Sequence, residues 1–116
     1  MLTQEQDWHS CKRVLIVKTE VNSSVQILFD KDSKGKLYAY IWALWVDPQH
    51  RKKGIGGELL QAAEKYCTEH GYKTAYLEWS KAEDNTPYWV FEWYIRHGWN
   101  SYEFGMDYAK LSKELQ

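Results

Sequence analysis

Apolar and polar residues alternate with one rhythm over the first half of this chain and with another over the second. In "KRVLIVKT", Val14 and Ile16 fall on one face and Leu15 and Val17 on the other, which predicts a strand from about 12 to 19. No element is assigned before it. "NSS" supplies a turn, "SVQILFD" a second strand, and "KDSKG" a tight reversal. "KLYAYIWALWVD" is long, aromatic and β-branched, and reads as a third strand that stops at Pro48, which cannot donate to a ladder. Three strands joined by short turns predict an antiparallel meander.

Past residue 54 the period lengthens. Leu59, Leu60, Ala63, Tyr66 and Cys67 recur at three- and four-residue spacings, the stripe of a helix packed on a sheet, and Gly71 ends it. "KTAYLEW" is a short strand with Ala75, Leu77 and Trp79 on one face. Thr86 is placed to cap a second helix whose first turn holds Pro87 and whose apolar face is Phe91, Tyr94 and Ile95, with Gly98 closing it. A last strand or pair of strands occupies roughly 99 to 112. The order β-β-β-α-β-α-β predicts an α/β protein of the α+β type, a mixed, mostly antiparallel sheet with helices packed on it. The crossover through the first helix makes the strands on either side of it parallel.

A length of 116 residues, 44% of them apolar, suits one domain spanning 1–116. The net charge of -1 provides no positive field for nucleic acid or anionic membrane. Cys11 and Cys67 match no metal or redox spacing, and no leader or apolar run long enough to span a bilayer is present, so a soluble, cytoplasmic protein is expected. His9, His50 and His70 lack ligand spacing, so no metal is expected. Seven Trp and nine Tyr are a heavy load; most are expected in the core, and any left uncovered would suit a homodimer.

Candidate chemistry lies in "VDPQHRKKGIGGELL". The first turn of a helix leaves N–H groups unpaired and carries roughly half a positive charge, so an anion there gains hydrogen bonds and dipole energy together. Gly54, Gly56 and Gly57 have no side chain to obstruct it, and Arg51, Lys52 and Lys53 add charge. The plain alternative is a strand-to-helix turn without a ligand. G-x-G-x-x-G and G-x-x-x-x-G-K-S/T are both absent, which sets aside dinucleotide and nucleoside triphosphate chemistry.

Arg51-Lys52-Lys53-Gly54-Ile55-Gly56, after a strand ending "LWVDPQH", resembles the acyl-CoA-binding signature of the GNAT (Gcn5-related) N-acetyltransferase family. "WYIRHGW", with Tyr94, Gly98 and Trp99, is similar to that family's Tyr-x-x-x-Gly-Phe segment, and "YAKLSKEL" to its last strand. The resemblance implies the acyl-CoA N-acyltransferase fold, with acetyl-CoA as co-substrate and a primary amine as acceptor. It places the diphosphate on Arg51, Lys52, Lys53, Gly54, Ile55, Gly56 and Gly57, and the pantetheine arm along Leu44, Trp45 and Val46. The amide of Trp45 or Val46 would face the oxyanion, and Tyr94 would protonate the departing thiolate. The chain departs from the family in three ways: no helical segment separates its first strands, Pro87 stands where an Asn is usual, with Asn85 close by, and the stretch after Trp99 is short for a final hairpin. The acceptor side is therefore expected to be open, or completed by another subunit.

The amine must lose a proton before attack, since a lysine-like group titrates near ~10.4. Glu78, Glu92, His97, Glu103 and Asp107 each read more readily as solvated surface groups, and Glu78, at the end of its strand, is slightly preferred among them as acceptor for that proton. Trp79, Trp89 and Trp93 read as core rather than as pocket walls. Two functions follow: transfer of acetyl from acetyl-CoA to a primary amine, of a small molecule or a protein, in a ternary complex, or an acyl-CoA-binding module without catalysis that works as a sensor or partner protein. An aromatic nucleic-acid module would need a basic stripe that the charge balance denies.

Overall fold

The computed structural model of the chain describes residues 1–8, 11–81 and 87–115, with Trp8 through its backbone alone. Four strands come first: β1 (Leu2–Trp8), β2 (Cys11–Lys18), β3 (Ser23–Lys31) and β4 (Leu37–Trp45). Helix α1 (Ile55–Glu69), β5 (Thr74–Ser80), α2 (Tyr88–Arg96), β6 (Asn100–Phe104) and β7 (Tyr108–Glu114) follow. One mixed sheet holds all seven strands in the order β1-β2-β3-β4-β5-β7-β6. The β1–β4 meander is antiparallel, the crossover through α1 makes β4 and β5 parallel, and β7 returns antiparallel between β5 and β6.

Alternation decides which face is buried. Val14 and Ile16 on β2, Val25, Ile27 and Phe29 on β3, Ala39 and Ile41 on β4, and Ala75, Leu77 and Trp79 on β5 all point to the helical side. They meet Ile55, Leu59, Leu60, Ala63 and Cys67, the helix stripe expected from the sequence, while Tyr66 is half-buried at its margin. Each Leu, Ile or Val sealed there contributes about 1.5–3 kcal/mol relative to exposure. Trp99, 1% exposed, fills the end of this layer beside Tyr94.

Turn chemistry sets the lengths. The Asp32 carboxylate accepts the N–H groups of Lys34 and Lys36 at 2.9 Å, closing the β3–β4 reversal with Gly35 at φ 79°. Both helices stop by the same device. Tyr72 N–H reaches Cys67 O and Gly71 N–H reaches Thr68 O at the end of α1. Trp99 N–H reaches Tyr94 O and Gly98 N–H reaches Ile95 O at the end of α2, with Gly71 and Gly98 in the left-handed conformation. Lys113 joins three elements, pairing with Glu64 of α1 at 2.7 Å and donating to the His97 carbonyl at 2.8 Å.

Several expectations are corrected. Residues 2–8, left unassigned from sequence, form β1: "LTQEQDW" has no apolar face of its own and is held by ladder bonds to β2. The segment after Trp99 is a complete hairpin of two strands rather than a short remnant. Pro87 occupies the position before α2, with extended ψ of 158°, not its first turn. Ile95 is 41% exposed, because the inward face of α2 is Val90, Phe91, Trp93 and Tyr94. The proposed cap Thr86 lies outside the described residues.

Candidate functional site

The site begins where β4 leaves the sheet. Among the described residues β4 pairs with β5 through only Ala39–Ala75 and Tyr40–Tyr76, and from Ile41 onward its edge toward β5 has no strand partner there. On its other edge the register slips: Gln26 faces Trp42 and Ser24 faces Trp45, so Ala43 and Leu44 oppose Val25 alone. Ala43 takes φ 52°, unusual for a residue with a side chain, and this bulge bends β4 away from β5. Leu44, Trp45 and Val46 therefore border an opening between two parallel strands. Ser23 Oγ accepts the Asp47 N–H at 3.0 Å and donates to the Val21 carbonyl at 3.0 Å, which pins the exit from β4.

The loop from there to α1 is held by backbone bonds. Asp47 caps the short turn Pro48–His50 through the Gln49 N–H at 2.9 Å, and Arg51 Nε donates to the Val46 carbonyl at 3.0 Å. Lys52 and Gly54 both have positive φ, 66° and 79°. No side chain caps the N-terminus of α1, so its first-turn N–H groups are left bare behind three exposed cationic residues, Arg51, Lys52 and Lys53. The one acidic residue in that turn, Glu58, is paired to Lys18, and this hydrogen bond raises the Lys18 ammonium above its ordinary value. The helix mouth keeps its positive character.

The three glycines have different neighbours. A side chain at Gly54 would point into open space, whereas one at Gly56 would sit 3.6 Å from Trp93 and Val46, and one at Gly57 would sit 3.4 Å from His97 Nε2. Gly54 serves the turn. Gly56 and Gly57 set the approach of α1 to the end of β4 and to α2. Trp93 and Val46 thus pack against the first turn of α1 at Gly56. Trp79 is 5% exposed, as read from sequence, but Trp89 is 60% exposed and lies on the surface.

Tyr94 is half-buried in the last turn of α2, against Trp93 and Trp99 with ring centroids 5.2 and 6.4 Å away. Its carbonyl and the ring contact to Trp99 belong to the helix stop described above, so the spacing Tyr94…Gly98-Trp99 is that of a helix terminus. Glu78 is exposed on β5, level with Lys110 of β7 and on the face opposite the helices. The other proton-acceptor candidates are engaged or remote. His97 Nδ1 bonds the Trp93 carbonyl at 2.7 Å, Glu103 holds Lys110 and Tyr108, and Asp107 and Glu92 are exposed. Asn85 lies outside the described residues, as does His9. Among the described residues no group of three His, Cys, Asp or Glu could hold a metal, and no helix is long and apolar enough to cross a membrane.

Residues that the sequence reading passed over lie on the face bearing Glu78. Tyr38, Tyr40, Tyr76 and Tyr102 line an open groove there. Burial holds the phenols of Tyr38 and Tyr102 above their ordinary value. The signal was present: Tyr38, Tyr40 and Trp42 alternate with Ala39 and Ile41, and Tyr76 and Glu78 alternate with Ala75, Leu77 and Trp79.

Comparison with curated protein sequences returns no match. Solved structures do match in fold. An acetyltransferase from Bacillus cereus ATCC 14579 is 20% identical with a TM-score of 0.63, over 97% of this chain and 74% of that one. An acetyltransferase of the GNAT family from Staphylococcus aureus Mu50 is 15% identical with a TM-score of 0.66, over 92% and 69%. A structure described as the NatC complex bound to Gag peptide and CoA is 18% identical with a TM-score of 0.65, over 91% and 71%. The model of the acetyltransferase (GNAT) family matches residues 3–101. With the strand order, the β4–β5 opening and the glycine-led helix in place, this chain belongs to the GNAT acetyltransferase family, an acyl-CoA-dependent acyltransferase fold.

Proposed function

We propose that the chain transfers an acetyl group from acetyl-CoA to a primary amine by direct attack within a ternary complex. One observation carries this reading: an uncapped helix N-terminus behind a basic loop stands next to an unpaired length of parallel strand. Such a pair suits a ligand with a diphosphate at one end and an extended, amide-bearing arm at the other. The N–H groups of Gly56 and Gly57 and the cations of Arg51, Lys52 and Lys53 would hold the diphosphate, with Gly54 and Ile55 forming the turn. The open edge of Leu44, Trp45 and Val46 would take the arm. The neighbour described as bound to CoA is consistent with that ligand for this fold.

The chain's own groups then divide the proton work. Glu78 takes the proton that the ammonium must lose, an amide at Trp45 or Val46 donates to the developing oxyanion, and Tyr94 supplies a proton to the departing sulfur. The test is the rate of thiol release from acetyl-CoA with a primary amine. Tyr94→Phe is expected to lower kcat by about a hundredfold or more, in the range of a lost general acid; an unchanged kcat would remove Tyr94 from the mechanism. The helix-stop geometry that accounts for the position of Tyr94 favours a second reading, an acyl-CoA-binding module without turnover. Tight binding of coenzyme A with no thiol release to any amine would establish it.

A further inference from the structure

The sheet face turned away from α1 and α2 has no helix over it among the described residues. Across its middle runs a row of rings. Tyr76 of β5 stands edge-on to Tyr38 of β4, with centroids 6.5 Å apart, and edge-on to Tyr102 of β6, with centroids 6.2 Å apart. Tyr40 lies level with Tyr76 in the parallel ladder. These rings wall a groove of about 780 Å³ that runs from the Asp32–Lys36 turn to Glu78.

Glu78 sits two residues past the last parallel rung, Tyr40–Tyr76, so the groove ends where β4 and β5 part. Its carboxylate makes no hydrogen bond or ion pair among the described residues. The nearest cation on the facing strand, Lys110, is turned to Glu103 at 3.4 Å. Lys110 feels the charge of Glu78 without forming an ion pair with it, and a carboxylate so placed beside electron-rich rings is a setting that attracts a further ammonium group.

The missing roof decides what kind of amine fits. Small-ligand sites enclose about 70–90% of the ligand surface, and a shallow groove on an uncovered sheet face cannot. A chain-borne amine brings neighbours that cover the rest. Tyr102 at 57% and Trp42 at 37% exposure, on the same face, are the residue types that anchor protein contacts.

Resting on the acetyl-transfer reading above, we propose that this groove receives a primary amine carried by a peptide or protein segment, with the ammonium at Glu78 and the segment laid along Tyr76, Tyr38 and Tyr102. One ammonium proton passes to the Glu78 carboxylate and on to water. The nitrogen then bonds to the acetyl carbon, the C–S bond breaks, and the second proton released by the nitrogen ends on the departing sulfur.

The test measures acetylation by the full chain, with acetyl-CoA as donor, of a lysine-free peptide with a free amino terminus, the same peptide blocked at its terminus and carrying one lysine, phenethylamine and putrescine. At least one peptide is expected to exceed both small amines in kcat/KM by about tenfold, and the arm that succeeds identifies terminal or lysine amine. Tyr102→Ala, a change at an exposed ring, is expected to raise the peptide KM by about tenfold with kcat within about twofold. Glu78→Gln is expected to lower kcat, with the loss shrinking as pH rises and the amine deprotonates unaided. Small amines used as well as peptides, or a peptide KM indifferent to Tyr102→Ala, would overturn the proposal. So would a wild-type dimer in sedimentation that Tyr102→Ala dissociates, since a second copy would then cover this face. If coenzyme A binds and no peptide is acetylated, the groove assignment fails while the cofactor reading stands; if coenzyme A does not bind, both fail.

Discussion

Gly54 and Gly56 lie two residues apart, and the structure predicts opposite responses to the same substitution. Gly54 has φ 79° and open space around it, so Gly54→Ala meets only backbone strain, about 1–2 kcal/mol. Gly56 lies inside α1 with ordinary contacts, so Gly56→Ala gains helix propensity of up to about 1 kcal/mol. Thermal unfolding of the ligand-free variants checks both; a Gly56→Ala loss as large as that of Gly54→Ala would contradict the contacts described. Cys67 gives a second test at this scale. Burial, reinforced by the field of Glu64, pushes its thiol up to about 12 from 9.0. The folded chain then holds a proton that the unfolded chain gives up above pH 9. Stability is unaffected by this group below pH 9 and falls as pH rises from 9 toward 12, at up to about 1.4 kcal/mol per pH unit. Urea unfolding between pH 9 and 10 is expected to show a fall to which the raised phenols of Tyr38, Tyr72 and Tyr102 also contribute, and Cys67→Ala to remove the thiol's share of it. At this scale the glycine loop was legible because positive φ and a bare helix mouth both call for glycine. The Tyr94–Gly98 spacing was legible too, but it satisfies a helix stop and a catalytic motif alike, and the hydrogen bonds establish the stop alone.

At the scale of elements, Lys113 ties α1, α2 and β7 together. Its side chain is 26% exposed and that of Glu64 13%, so Lys113→Ala leaves a largely buried carboxylate and an unserved helix carbonyl. A loss of about 2–3 kcal/mol is expected, against less than about 0.5 kcal/mol for Lys65→Ala, whose partner Glu69 is in open solvent. Equal effects of the two in chemical unfolding would contradict the assignment. The strands and helices with an apolar stripe were readable from their period: β2 to β5, α1 and most of α2. β1 was not, because its order comes from ladder bonds to β2 and its residues carry no stripe. Ile95 was misplaced because the apolar surface of α2 is wider than its buried face, and periodicity cannot tell which edge of a broad stripe turns outward.

For the whole molecule, the sheet has two unlike faces. One is sealed by α1 and α2, the other holds four tyrosines, Trp42 and Glu78 without a helical layer among the described residues, and the β4–β5 opening lies between them. The parallel crossover was legible from the order of elements, but the asymmetry of the faces was not, since a tyrosine in a strand reads the same on a covered face as on a bare one. The central claim is that the mouth of α1 and the edge of β4 form a site for a coenzyme A thioester. Thermal unfolding with and without coenzyme A tests it most directly. Ligand at a hundred times its dissociation constant adds ~2.7 kcal/mol to the folded state, which for a domain of this size raises the midpoint by on the order of 10 °C. That rise is the predicted result, and an unmoved midpoint at millimolar coenzyme A would contradict the account.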